Sequence, residues 1–372
     1  MTGGSIMKLR LKRCPVCDAI PFYSRYLEWT RDGVVLGRDK ARTRVVFLEV
    51  EEIRHQLNGI SEKIGLSIDR IVYSAEKEVG KRFISTLVGE TITRLPRTRL
   101  TRPAIAQRLL GRYLISPYIA QLGMGLTTML DYRPGKMHVF SLMNPYSVPV
   151  LAGDGAGIFE YLERIGVETT WKVDSFGNAT VTLLESSEPQ GVEERLAYER
   201  TSYLPGNAEL NFCPGCRVPR EVSETFDFDP AQGIVKNRFS GCREVVMPTQ
   251  SFSAIFRELE RELGDEIPAM ITDLERSYVR DNLSERGTIL GRPDVMSLLT
   301  DFTWRGIGNP VSAIRGKDGT DITIENPFNP SLVAGRVAGL YEAWTGKRVR
   351  FNWTEEMPGC LKVSISEFAP TD

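Results

Sequence analysis

Histidine is nearly absent: the 372 residues hold only His55 and His138. Both fall in the first half of the chain, too few and too dispersed for a nucleophile–histidine–acid triad. Net charge is also missing, with 47 basic residues against 48 acidic ones. That balance argues against a protein whose main work is coating nucleic acid. No apolar run approaches the ~18 residues that would suggest a membrane helix. The stretch Met1 to Arg13 is polar, then basic, with no apolar segment behind it, so the expected location is cytoplasmic. Six cysteines are too few for a disulfide scaffold, and in a reducing compartment paired cysteines point to metal before they point to bridges.

Four of those cysteines are paired, as Cys14-Pro15-Val16-Cys17 and Cys213-Pro214-Gly215-Cys216. In a C-P-x-C turn the proline fixes φ and the second thiol folds back beside the first. Two such turns supply the four thiolates that tetrahedral zinc, or a single iron, requires. Cys14, Cys17, Cys213 and Cys216 are therefore the candidate metal ligands, with a redox dithiol and plain buried cysteines as the competing readings. One shared ion would clamp two halves of the chain, whereas two separate sites would need further ligands.

The second turn is also where the sequence begins again. Cys14 to Cys213 is an offset of 199, Gly33 to Gly233 of 200, and Gly65 to Gly264 of 199. Further on, Asn144-Pro145-Tyr146 matches Asn326-Pro327-Phe328 at an offset of 182, and Gly153, Gly157 and Trp171 match Gly335, Gly339 and Trp353 in the same register. This is an internal duplication, with copies at about residues 8–187 and 209–368, a linker at 188–208, and an insertion of roughly seventeen residues in copy one near Thr91 to Arg112.

Each copy reads as a cysteine turn, two strands, long helices, strands, a glycine-rich helix and a closing strand pair. In copy one the spacing Ile53, Leu57, Ile60, Ile64, Ile68, Ile71 is that of an amphipathic helix interrupted near Gly65, with a further polar helix expected over about Glu76 to Val88. Strands and helices are segregated, so the expected class is α+β: two tandem copies of a mainly antiparallel sheet packed against helices, arranged as a pseudo-dimer. Gly153-Asp154-Gly155-Ala156-Gly157 invites a phosphate-loop reading. Copy two keeps only Gly335 and Gly339, so what the copies share is small residues four apart on one helix face, which suits close helix packing.

The segment Leu332-Val-Ala-Gly335-Arg-Val-Ala-Gly339-Leu-Tyr-Glu342-Ala-Trp-Thr-Gly346-Lys-Arg-Val349-Arg-Phe351, followed by Gly359-Cys360-Leu361, resembles the 4-vinyl reductase-type domain of hydrocarbon-binding proteins and aromatic-sensing regulators. The resemblance covers about the last third of each copy. It implies a domain similar to transport-particle subunits, with an apolar pocket between sheet and helices for a hydrophobic small molecule or a tetrapyrrole. Such domains commonly end in a cysteine-rich metal site. Here Cys360 stands alone and its counterpart is Asn178, so that terminal site is not carried over.

Under this resemblance Tyr146, Phe159, Trp171, Phe328, Tyr341 and Trp353 are candidate pocket residues, with core packing as the alternative. Arg94, Arg97, Arg99 and Arg102 form an acid-free basic stretch in the insertion, either a solvated loop or a patch for an anionic partner. Three functions follow: a non-enzymatic, zinc-containing small-molecule-binding or regulatory protein; a tetrapyrrole-handling enzyme or carrier; or an assembly protein that docks a protein partner through the arginines. No cofactor motif for hydride transfer is present, which weighs against reduction by this chain alone.

Overall fold

The computed structural model describes residues 13–93, 111, 115–186, 202–286, 292–317 and 319–367. Copy one runs α1 (Pro21–Tyr26), β1 (Leu27–Trp29), β2 (Val35–Gly37), β3 (Arg44–Glu49), α2 (Val50–Ile64), α3 (Asp69–Thr93), α4 (Ser116–Gln121), β4 (Leu126–Arg133), β5 (Met137–Met143), α5 (Val148–Glu163), β6 (Gly166–Val173) and β7 (Ala179–Ser186). Copy two continues with α6 (Arg220–Thr225), β8 (Phe226–Asp229), β9 (Ile234–Asn237), β10 (Arg243–Pro248), α7 (Thr249–Leu263), α8 (Ile267–Arg286), α9 (Val295–Leu298) and α10 (Phe302–Arg305). It ends with β11 (Asn309–Arg315), β12 (Thr320–Glu325), α11 (Pro330–Thr345), β13 (Val349–Met357) and β14 (Cys360–Glu367).

The fold is α+β with antiparallel sheets. Each copy owns a four-stranded sheet, β4-β5-β7-β6 or β11-β12-β14-β13, and the copies share a six-stranded one ordered β1-β2-β3-β10-β9-β8. At the centre of the shared sheet Phe47 pairs with Val246, 199 residues on, while Leu48 faces Val245 and Val46 faces Met247. A residue paired with its own equivalent lies on the pseudo-two-fold, so the axis passes through this pair. Both central strands are buried along nearly their whole length, which explains why β3 reads as a continuous apolar run without alternation.

The copies are interleaved beyond the sheet. Helix α2 lies on α8: Gln56 Nε2 donates to Glu275 at 2.9 Å, and Tyr278 Oη donates to Glu49 at 2.6 Å. The symmetric contact sets α3 on α7, where Ser251 Oγ donates to Glu76 at 3.2 Å. Arg44 donates across the axis to the carbonyls of Asn326 (2.5 Å) and Gly306 (3.0 Å), and its equivalent Arg243 donates to Asn144 O at 2.7 Å. One apolar cluster therefore runs through both copies. Part of the stretch expected as a linker is itself tied down: Asn326 bonds both the N–H and the carbonyl of Leu204, and Gly206 N donates to Asp32.

Gly65 ends α2 in the left-handed region at φ 72°, which glycine adopts without the penalty of a Cβ. The next helix starts at Asp69, seven residues before the expected Glu76. Ile68 and Ile71, assigned by spacing to the helix before, belong to the connection and to the first turn of α3.

The glycine-rich helices are packing devices. A Cβ on Gly153 would stand 2.5 Å from Tyr73 O, and one on Gly157 would overlap Lys77 O. In copy two, Gly335 meets Thr272 O and Gly339 meets Arg276 O, at 2.6 Å. Helices α5 and α11 thus lie backbone to backbone on α3 and α8. Gly157→Ala is expected to lower stability by about 2–3 kcal/mol, because the carbonyl it meets cannot rotate away and the ~1 kcal/mol gain in helix propensity does not offset the overlap. Gly316→Ala, whose Cβ would stand 3.7 Å from its nearest neighbour, should leave the urea midpoint unchanged.

Candidate metal centre

Both cysteine turns are built alike. Cys14 N donates to Ala19 O at 2.9 Å and Asp18 N to Cys14 O at 2.8 Å; Cys213 N donates to Val218 O and Arg217 N to Cys213 O, each at 2.9 Å. The residue after the second cysteine turns back in the left-handed region, Asp18 at φ 61° and Arg217 at φ 64°. That reversal sends the chain into Ala19-Ile20 and Val218, which are buried and anchor each turn to the core.

The shared sheet then sets the turns against one another across the axis. Cys14 Sγ lies 3.8 Å from Cys213 Sγ, and Cys17 Sγ lies 3.4 Å from Cys216 Sγ. All four sulfurs fall within 4.8 Å of one another, a group that can hold a metal ion. Tetrahedral Zn–S bonds of ~2.3 Å place sulfurs ~3.8 Å apart, so the donor set fits zinc with little adjustment. Gly215 faces the opposite turn, where a Cβ would come within 2.9 Å of Val16 and 3.2 Å of Cys14 Sγ. A larger residue there would wedge the turns apart.

The thiols are not equivalent. Burial opposes ionisation of Cys213, but the N–H groups of Cys216 and Gly215 and the neighbouring thiols outweigh it, bringing Cys213 down to about 7. Burial pushes Cys216 and Cys17 up. Cys213 is thus readier than Cys17 or Cys216 to lose its proton to an incoming cation.

The other candidates fall elsewhere. Tyr146 and Phe159 are buried in copy one, and Phe328 packs on Phe252 with ring centroids 5.9 Å apart. Trp171 packs on Tyr73 (5.8 Å), with the guanidinium of Arg70 over its ring at 5.3 Å, and Trp353 is half-buried against the core. Tyr341 lines a cleft of about 340 Å³ together with Trp344 and Met296. Arg94, Arg97, Arg99 and Arg102 lie outside the described residues. His138 is half-buried with both ring nitrogens inside, and the loss of water there lowers it to about 4, while His55 meets Ser277 at 3.3 Å.

Sequence reasoning missed the buried ion clusters. Glu160 accepts from Lys77 (2.5 Å), Lys81 (2.8 Å) and Val167 N (2.9 Å); its equivalent Glu342 accepts from Arg276 (2.5 Å), Arg280 (3.4 Å) and Val349 N (2.9 Å). The offsets of 199 and 182 carry every member across, so the repeat itself held the signal. Around α2 and α8, Arg336 is held charged between Glu52 and Glu275 against the penalty of burial.

No family model matches the chain, and no curated protein matches it. Among solved structures it is similar over 34% of its length to H-NOX proteins. One comes from a study of heme distortion in the H-NOX family (14% identity, 79% of that chain, TM-score 0.26), and another is a variant of the T. Tengcongensis H-NOX protein (15% identity, 81% of that chain, TM-score 0.25). At such scores the likeness carries no argument about this chain. Among the described residues no helix is long and apolar enough to cross a membrane.

Proposed function

We propose that this protein is a non-enzymatic binding or regulatory protein: a duplicated α+β body whose two halves are tied at the pseudo-two-fold by one structural zinc ion and which carries an apolar small-molecule site. The convergence of four thiols from equivalent positions of a duplication supports the metal. Four protein ligands leave no open position for water or substrate, so the ion stabilises and does not catalyse. The ligand part rests on the resemblance of the last third of each copy and on the cleft beside Tyr341.

Elemental analysis after anaerobic purification tests the metal part. One zinc per chain is expected, and Cys213→Ser or Cys14→Ser should lose most of it. Because the copies also share a sheet and a core, the metal-free protein should keep its far-UV circular dichroism and melt a few degrees lower. Zinc should be released as the pH falls and protons compete for the thiolates. Wild-type protein that takes up no zinc, or variants that keep a full complement, would overturn the assignment.

A further inference from the structure

The duplication allows the same place to be compared in the two copies, and at the hairpin end of the four-stranded sheet they differ. In copy one, Tyr132 of β4 pairs with His138 of β5. The His138 ring sits 5.2 Å from Phe140, 5.5 Å from Phe159 and 5.8 Å from Tyr132, and Tyr132 Oη donates to Glu163 at the end of α5. Sheet and helix are filled against each other there. In copy two the paired positions are Arg315 of β11 and Thr320 of β12, and Glu163 is matched by Thr345 on α11. Three large side chains become two threonines and an outward-reaching arginine, and between them lies the cleft of about 340 Å³. That volume is within the range of small-ligand sites.

The lining indicates what would fill it. Tyr341 and Trp344, with ring centroids 5.8 Å apart, form one wall, and Val295 and Met296 of α9 form another. Of the charged lining groups, Asp294 accepts from Ser297 N at 2.8 Å as a helix cap, and Glu367 is paired with Lys347 at 2.6 Å. Arg315 has no ion-pair partner among the described residues, and the acid that holds its positional counterpart Tyr132 has become Thr345. The cleft therefore offers aromatic walls and one unspent guanidinium, a group suited to two-point recognition of a carboxylate.

We propose that this cleft of copy two binds a small aromatic carboxylate, its ring against Tyr341 and Trp344 and its anionic end at Arg315, while the filled place in copy one binds nothing. This rests on the small-molecule reading above and adds the site and the ligand class. The test is calorimetric titration of the zinc-loaded full chain with 2-naphthoate and with uncharged 2-naphthol, repeated on Arg315→Gln and Thr320→His, with melting temperature and zinc content as folding controls. Saturable binding of 2-naphthoate is expected, about tenfold weaker in Arg315→Gln and for 2-naphthol, and abolished in Thr320→His, which refills the space with the copy-one residue. Equal binding of both probes, indifferent to Arg315→Gln, would overturn the carboxylate assignment and leave the apolar-ligand reading standing. Binding that survives Thr320→His in a folded protein would overturn the location. Binding of neither probe would overturn this proposal, and the zinc measurement would still report independently on the metal part.

Discussion

Arg305→Met is expected to destabilise the protein by about 3–5 kcal/mol, because it strands a charge at the centre of the molecule. Glu244 lies on β10, completely buried, and Arg305 of α10 grips it with two parallel bonds of 3.0 and 3.1 Å. Asn237 Nδ2 adds a bond of 3.3 Å, and the guanidinium lies 4.9 Å from the Trp304 ring and 5.3 Å from Phe226. Burial already pushes the Glu244 carboxyl up, and Arg305 is the chief opposing influence. Without it the carboxyl rises further. An acid whose folded-state pKa lies above its unfolded value loses stability as the pH rises through that window. The urea midpoint of Arg305→Met should therefore fall furthest above neutrality and partly recover near pH 5. Adding Glu244→Gln should return much of the loss, since a neutral amide needs no counter-charge. A single variant as stable as the wild type at pH 8 would show that the pair is solvated, against its burial.

The features legible in the sequence were those the duplication repeats as residue types with one structural meaning. Cys14 and Cys213, Gly157 and Gly339, and Gly65 and Gly264 each name a local geometry, so their recurrence in register exposed the turns, the close helix packing and the helix end. Interleaving was not legible. An offset says which residues are equivalent, but not that Arg44 of one copy would donate to Asn326 of the other, because intra-copy and inter-copy packing satisfy the same periodicity. The buried acids were hidden for another reason. Glu52 and Glu76 sit in helices rich in charge, where the sequence pattern is that of a solvated face, and only the neighbouring helix turns that face inward. The cleft depends on a difference between the copies, Thr320 for His138, and a search for likeness passes over it.

The same comparison yields the strongest pH effect expected of the native protein. In copy two the place where α8 and α11 meet α2 holds Glu275, Arg336 and Glu52, two acids around one cation. The equivalent place in copy one holds Glu76, Asp154 and Ser251, two acids and a hydroxyl. Asp154 stands where the arginine would be, so among the described residues the pair has no cation of its own. Ser251 donates to one oxygen of Glu76, while the other is buried with no hydrogen-bond partner among the described residues. Burial raises Asp154 to about 7, and burial together with Asp154 raises Glu76. Both carboxyls are thus protonated in the folded state at pH values where the unfolded chain has released its protons. Stability present below about pH 4 is lost as the pH rises toward 7, with a slope approaching ~1.4 kcal/mol per unit for each group that stays protonated. Asp154→Asn keeps the shape and removes one of the two acids. It should be nearly neutral at pH 4 and stabilising by about 2–3 kcal/mol at pH 8, with a flatter profile between, when urea unfolding is followed across that range. A wild-type profile flat from pH 5 to 8, or an Asn variant that gains nothing at pH 8, would mean that the pair is neutralised by something other than protons, and a bound cation would then be sought between Glu76 and Asp154 first.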